Sequence, residues 1–223
     1  MGNSFIPAYE QFYGQRFDKK RSAVEKFLRN GVHKVTSSVT TRKSRVKGFV
    51  ARVNRFAESA EFDVSNEELA RALRVEARRN GISDEYTARA FALIRRVAEQ
   101  QLGMRHFDVQ LIGGWAMMNG MVAEMDTGQG KTLTATLAAG AAALAGFPTH
   151  VITVNEYLAS RDAEWMAPVY EALGLTVGVV TNEMPAAEKQ EAYRRDVAYC
   201  TNKQIAFDYL RDRIEIGKSA GTR

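Results

Sequence analysis

After Gly120 the sequence alternates short β-rich runs with longer stretches of helical character, and this alternation constrains the fold more than any other feature. The pattern predicts four strands, at residues 121–125, 150–154, 175–180 and 196–200. The helices that follow them are predicted from Lys131 to about Ala145, through Trp165 to Leu173, from about Ala186 to Arg194, and from about Ile205 to Ile214. Such βαβ alternation indicates an α/β fold, a parallel sheet with helices on both faces and ligands beyond the C-terminal ends of its strands.

The residues before this region are predicted to be mostly helical. Ser65 and Glu68 form a capping-box pattern, and apolar residues follow at helical spacing until Gly81. A second amphipathic helix is predicted to begin near Ser83 or Asp84 and to end at Gly103. Both helices come before the alternating part of the chain.

The sequence DTGQGKT, at residues 126–132, lies between the first predicted strand and its helix. Gly128 and Gly130 allow positive φ angles and a close approach of the backbone to a phosphate. Lys131 places a charge on the β- and γ-phosphates, and Thr132 offers a hydroxyl to Mg²⁺ at a helix N-terminus. This order of strand, loop, lysine and helix predicts a phosphate-binding loop. The alternative is a glycine-rich turn with an exposed lysine.

Two further positions bear on the predicted nucleotide site. Met125 stands where the strict Walker A pattern has its first glycine, although the TGxGKT core is complete. Gln110 lies 18 residues before Gly128, and its amide could pair with adenine N6 and N7, as Gln and Asn amides do in bidentate contacts. The alternative for Gln110 is an ordinary surface amide.

Charge divides the chain unevenly. Residues 1–55 hold 13 Lys and Arg against 3 Asp and Glu, whereas residues 56–223 hold 18 against 23. A basic arm on an acidic body predicts contact with an anionic surface, either acidic phospholipid or nucleic acid. A solvated tail is the alternative, because residues 37–48 have the composition of a flexible linker. Within the arm five aromatic residues recur at near-helical spacing, which favours packing on the body over insertion at a membrane interface: Phe5, Tyr9, Phe12, Tyr13 and Phe17.

The compartment is predicted from what the chain contains. With 45% hydrophobic and 26% charged residues, it has the composition of a globular protein with a core. Cys200 is the single cysteine, which is typical of a reducing compartment. The N-terminus lacks the order of a secretory signal, and no run is apolar enough to span a membrane. We therefore expect a cytoplasmic protein.

Five segments of the sequence together resemble one known family. They are MRHFDVQLIGG, AEMDTGQGKTLTATL, HVITVNEYLASRDAEWM, LGLTVGVV and TNKQIAFDYLRD. Over about residues 65–215 the chain resembles the first nucleotide-binding fold of SecA, the ATP-driven motor of bacterial preprotein export. That family also has methionine at the position of Met125. The resemblance implies a RecA-like P-loop NTPase fold of the superfamily 2 helicase type, preceded by a mostly helical basic region.

The resemblance also implies ligands, site residues and domains. ATP and Mg²⁺ would be the cofactors, with Gln110 on adenine and residues 128–132 (Gly128, Gln129, Gly130, Lys131 and Thr132) as the phosphate loop. Lys131 and Thr132 would serve catalysis, and the Thr132 hydroxyl would bind the metal. Asn155 and Arg161 would link nucleotide state to the rest of the motor. We divide the chain into a basic arm or linker (1–60), helices packing on the nucleotide-binding fold (61–104) and that fold itself (105–223).

The partners implied by the resemblance are the SecYEG channel, preproteins and an anionic phospholipid surface. The resemblance leaves open whether the protein forms a homodimer. The location implied is the cytoplasm and, peripherally, the cytoplasmic face of the inner membrane. Nucleic acid is disfavoured as a partner, because the segments after the phosphate loop resemble the translocase and differ from helicases. A superfamily 2 nucleic-acid helicase is therefore the weakest of the functions considered.

Departures from the family pattern predict a diverged and incomplete copy. Asp126 replaces a basic residue and Gln129 replaces glutamate in the loop, and residues 204–206 also differ. The fold is expected to be incomplete at the C-terminus, because the family's Asp-Glu strand does not occur before Arg223. Since positioning and electrostatics supply most of the catalysis in phosphoryl transfer, the chain alone is predicted to be a poor ATPase. The alternative function is a nucleotide-dependent binding module without ATPase activity.

Overall fold

The computed structural model describes residues 39–220 of the chain. The chain divides into two units, Met1–Val46 and Lys47–Arg223. Of the first unit the described residues, 39–46, are helical and begin α1 (Val39–Ala57). The predicted aromatic stripe at residues 5–17 lies outside the described residues. None of the described helices combines the length and the apolarity needed to cross a membrane.

Among the described residues of the second unit, the end of α1 (residues 47–57), a short 3₁₀ turn (Ala60–Phe62) and four further helices precede the sheet. They are α2 (Asn66–Asn80), α3 (Asp84–Leu102), α4 (Asp108–Met118) and α5 (Lys131–Leu144). The capping box predicted for α2 is present, because the Ser65 side chain accepts from the Glu68 N–H and Glu68 accepts from the Ser65 N–H. Gly103 ends α3 in the left-handed conformation, as the sequence predicted. Both predicted helices are therefore confirmed.

The sheet has three parallel strands, β1 (Thr149–Thr153), β2 (Val177–Val179) and β3 (Val197–Thr201), in the order β1-β3-β2. The connections carry α6 (Glu156–Ala172) and α7 (Ala186–Tyr193), and α8 (Asn202–Ala220) follows β3. Every residue of the central strand is buried. Three of the four predicted strands are thus confirmed within one or two residues, and their βαβ connections make the pairing parallel.

Helices cover both faces of the sheet. Successive residues of β3 point to opposite faces, and each face meets a different helix. Tyr199 meets Tyr170 of α6 on one face, with ring centroids 6.5 Å apart. Cys200 packs with Val180 and with Ala192 of α7 on the other face. This arrangement agrees with the predicted α/β architecture of the RecA-like type.

The strand predicted at residues 121–125 is wrong. Residues 121–126 have no regular secondary structure, and the Val122 side chain is 97% exposed. A strand needs a hydrogen-bonded neighbour, and no described strand pairs with this segment. The sequence of this segment therefore alternates like that of a strand, but no described strand lies beside it to form the hydrogen bonds.

The flexible linker predicted at residues 37–48 is contradicted from Val39 onward, where α1 begins. The physical reason lies just beyond the polar stretch. Phe49 and Val53 are four residues apart, hence on one side of the helix, and both are buried. Phe49 meets Phe91 of α3 edge-on, with ring centroids 5.6 Å apart. This apolar contact outweighs the polar composition of the preceding residues.

Candidate nucleotide-binding site

The segment at residues 126–132 leads directly into α5, with Gly130 as the N-cap residue of that helix. Gly128 has a φ of +85° and Gly130 a φ of +76°, a region that side chains with a Cβ rarely adopt. Space around Gly128 is open, since a Cβ placed there would meet nothing within 4 Å. At Gly130 a Cβ would collide with the Gln110 amide nitrogen. The loop conformation therefore needs glycine at both positions because of φ, and at Gly130 also because of the nearby Gln110 side chain.

The backbone N–H groups of the loop are free to bind an anion. In the described part of the chain, the N–H groups of Gly128, Gly130, Lys131 and Thr132 donate to no protein acceptor. Unpaired N–H groups at the N-terminus of a helix form an anion site together with the helix dipole. The Lys131 side chain is exposed, and none of the ion pairs between described residues includes it. The loop can accept a phosphate without first losing an internal contact.

Gln110 holds the phosphate loop against α4. Its side chain is only 4% exposed. Its Oε1 accepts from the Phe107 N–H at 2.9 Å, and its Nε2 donates to the Gln129 carbonyl at 2.9 Å. One N–H and one lone pair of the amide remain for another partner. The structure thus brings Gln110 to the loop, in a position that ties two elements together.

Asp126 and Gln129 close the outer side of the loop. The Asp126 N–H donates to Gln129 Oε1 at 2.9 Å, and the Gln129 N–H donates back to the Asp126 carbonyl at 3.3 Å. Both residues are exposed. Asp126 and Gln129 therefore contact each other, and the contact keeps the turn compact.

Thr132 connects the loop to α6. Its hydroxyl donates to Asp162 Oδ2 at 3.4 Å, and its carbonyl accepts from the Thr136 hydroxyl at 3.1 Å. Asp162 also pairs with Arg161, whose Nη2 lies 2.6 Å from Asp162 Oδ1. Arg161 and Asp162 therefore form an ion pair beside the loop. The contact between Asp162 and Thr132 was not predicted, because the two residues are 30 positions apart and meet only through the fold.

Asn155 lies at the first turn of α6, on the exposed side. Its Oδ1 accepts from the Leu158 N–H at 2.8 Å, which makes Asn155 the N-cap of this helix. Arg161 lies farther along the same helix, 5.9 Å from the centre of the Tyr157 ring. Of the two residues singled out for coupling, Arg161 therefore reaches the phosphate loop through Asp162, whereas Asn155 sets the start of the helix that carries it.

His106 fixes the chain between α3 and α4 to the beginning of α5. The ring is fully buried, and Nε2 lies 2.8 Å from the Leu133 carbonyl, so Nε2 carries the proton and donates. Burial lowers the pKa of His106 to about 4, and the ring is neutral at pH 7. These contacts give His106 a structural role.

The depressed pKa of His106 predicts that the protein loses stability as the pH falls. The unfolded chain takes up a proton near pH 6.5 while the folded one takes it up near 4, so acid favours unfolding between these values. We expect His106 to contribute about 2 kcal/mol to the loss of unfolding free energy between about pH 7.5 and pH 5. Urea denaturation at both pH values would measure it.

His106→Gln is the matched variant, because the glutamine amide can still donate to Leu133 without titrating. Burial also lowers the pKa of His150, which adds a slope of the same sign to both proteins. The difference between wild type and variant therefore isolates His106. Equal pH slopes for the two proteins would contradict the prediction.

The chain matches a family model described as the SecA DEAD-like domain, over residues 32–222. It is 56% identical over 161 residues to protein translocase subunit SecA 3 of Magnetococcus marinus, which covers 72% of this chain and 24% of the relative. It is 60% identical over 139 residues to protein translocase subunit SecA 2 of Bordetella avium, covering 62% and 21%.

A third relative extends the match across almost the whole sequence. Protein translocase subunit SecA 2 of Nitrosospira multiformis is 44% identical over 217 residues, which are 96% of this chain and 32% of the relative. The chain therefore spans about a fifth to a third of the length of these relatives.

Proposed function

Because the chain belongs to the SecA family, whose model matches residues 32–222, we propose that it is the ATP-binding part of a protein translocase subunit. In a complete subunit it would couple ATP binding and hydrolysis to the movement of preproteins through the SecYEG channel. One observation carries the proposal. The loop before α5 combines two glycines at positive φ with N–H groups and an exposed lysine that have no hydrogen-bond or ionic partner among residues 39–220.

The residues of the loop and Gln110 would contact different parts of a bound nucleotide. The N–H groups of residues 128–132 and the Lys131 ammonium would hold the phosphates. Gln110 would contact adenine with the remaining N–H and lone pair of its amide, while it keeps the loop in place. The half-buried Thr132 hydroxyl fits Mg²⁺, a cation that prefers oxygen ligands. When bound, that ion offsets the negative charge of the β- and γ-phosphates.

Lys131 and Thr132 are the residues proposed to serve catalysis. Lys131 and Thr132 can hold and neutralise phosphates, whereas phosphoryl transfer also needs groups that orient the attacking water and stabilise the transition state. Asp162 and Arg161 are paired with each other beside the loop. We propose that α6 links the nucleotide state of the loop to the rest of the subunit through Arg161. Asn155 would contribute by fixing the start of that helix.

The proposed partners are the SecYEG channel, preproteins and an anionic phospholipid surface. Support comes from the names of the relatives, which are translocase subunits, and from the charge of α1. That helix contains six Lys and Arg and no Asp or Glu, which favours approach to negative headgroups. The proposed location is the cytoplasm and the cytoplasmic face of the inner membrane. A homodimer is compatible with this function.

Titration of the chain with a fluorescent ADP analogue and Mg²⁺ tests the proposal, with Lys131→Ala beside the wild type. We expect saturable binding by the wild type and binding weaker by roughly tenfold or more in the variant, since a charge-assisted contact to phosphate is lost. Lys203→Ala is the matched control, because Lys203 is an exposed lysine on α8 outside the loop. Equal affinities in all three proteins, or no binding with helical circular dichroism intact, would overturn the proposal.

A further inference from the structure

Asp162 lies beside the phosphate loop, although it belongs to a different segment of the chain. It projects from α6, and its side chain is 13% exposed. Its two carboxylate oxygens have different partners. Oδ1 accepts from Arg161 Nε at 2.9 Å and Nη2 at 2.6 Å, whereas Oδ2 faces the Thr132 hydroxyl.

The contact of Oδ2 is weaker than that of Oδ1. The Thr132 hydroxyl lies 3.4 Å away, beyond the usual length of about 2.5–3.0 Å for a bond between a hydroxyl and an oxygen. No other hydrogen bond from a described residue reaches Oδ2. A largely buried carboxylate oxygen with one long hydrogen bond retains most of its capacity to bind a cation.

We propose that Asp162 is a second protein ligand, together with Thr132, for the Mg²⁺ that accompanies the nucleotide. The inference rests on the proposed function and deepens it. Mg²⁺ demands near-octahedral coordination at about 2.0–2.1 Å, which places neighbouring ligands about 3 Å apart. The separation of 3.4 Å between Thr132 Oγ1 and Asp162 Oδ2 comes within a small side-chain adjustment of that spacing. One or two carboxylates plus the phosphates of the substrate are the usual ligands of Mg²⁺ beside a nucleotide.

The neighbouring ion pair suits this role. Arg161 occupies Oδ1 only, so the carboxylate is held in place while Oδ2 stays directed at Thr132. The metal site would then join the first turn of α5 to α6, two elements that separate segments of the chain supply. Removing the carboxylate is expected to affect the metal requirement of nucleotide binding and to leave metal-free binding unchanged.

The test measures how much free Mg²⁺ is needed for half-maximal binding of a fluorescent ADP analogue. Asp162→Asn keeps the shape of the side chain and removes its charge. We expect the variant to need at least roughly 10-fold more Mg²⁺ than the wild type, because loss of a residue that only supports a metal ligand already costs about 10- to 100-fold in metal affinity. In EDTA the two proteins are expected to bind the analogue equally. Mn²⁺ in place of Mg²⁺ gives a second readout, because the free ion is counted by electron paramagnetic resonance.

Two further variants serve as controls for Asp162→Asn. Glu164→Gln removes the same charge from an exposed position of α6 and is expected to match the wild type. Asp162→Glu retains a carboxylate beside Thr132 and is expected to keep most of the Mg²⁺ dependence, which excludes misfolding as the cause if Asp162→Asn is poorly folded.

The outcomes separate this inference from the proposed function. Nucleotide binding by the wild type with the same Mg²⁺ requirement in Asp162→Asn would overturn the metal role and leave nucleotide binding intact. Equal weakening of Asp162→Asn with and without Mg²⁺ would also overturn it, because Asp162 would then only position Thr132. No binding by the wild type under any condition would overturn both.

Discussion

Replacing Gly130 by alanine is expected to weaken nucleotide binding by roughly 100-fold. The positive φ and the collision with Gln110 together would strain the loop by about 3 kcal/mol, and a loss of that size in binding free energy corresponds to a change in affinity of about 100-fold. The φ of +76° is unfavourable for alanine, and its methyl group would collide with the Gln110 amide. Relief of either strain moves the backbone N–H groups that face the phosphates. Titration with the fluorescent ADP analogue and Mg²⁺ measures the effect.

Two further variants divide this effect into its parts. Gly128→Ala has the same kind of φ and nothing nearby, so it should lose only the part due to backbone conformation. Gln110→Ala combined with Gly130→Ala removes the collision, and we expect the double variant to be more stable than the sum of the single changes predicts. Strict additivity in urea denaturation would show that the Gln110 contact does not restrict residue 130.

Replacing Leu137 by alanine is expected to lower the free energy of unfolding by about 2–5 kcal/mol, the usual range for a buried leucine. Leu137 is fully buried in the middle of α5. It lies where α4 packs closely on α5, since a Cβ on Gly114 would meet the Leu137 Cβ at 3.0 Å and the Phe91 ring at 2.9 Å. The surrounding backbone cannot close a cavity there without moving helices.

The midpoint of urea denaturation measures this loss, provided that the slope of the transition is unchanged. Leu210→Ala is the control, because the Leu210 side chain is 55% exposed and its truncation should change stability by less than about 0.5 kcal/mol. Similar shifts for the two variants would mean that α5 is not part of the cooperative core.

Local sequence signals predicted those parts of the fold that depend on interactions between residues close together in the sequence. The capping box at Ser65 and the stop at Gly103 mark their helices without help from distant residues. Residues 121–125 and α4 depend on the rest of the chain. The first has strand-like alternation and no partner strand, and the second contains Gly113 and Gly114, which resemble a helix break. A Cβ at position 114 would crowd Phe91 and Leu137, so the close packing of α4 requires glycine there, a residue that local propensity counts against a helix.

The candidate site was predictable to the same extent. The residue types and spacing of the loop predicted its conformation, and both glycines have the expected positive φ. The packing of Gln110 on the Gln129 carbonyl and the contact of Asp162 with Thr132 join residues 19 and 30 positions apart. A search for acidic residues on the helix that follows the next strand could have suggested Asp162, although only the fold shows which oxygen faces the loop.

The order of the three strands has a consequence for the moment at which the protein can fold during its synthesis. β3 lies between β1 and β2, yet it is the last of them to leave the ribosome. The two earlier strands pair with β3 and not with each other, so neither has a hydrogen-bonded neighbour until residue 201 has emerged. Protease resistance of the sheet in nascent chains should therefore appear only after that point.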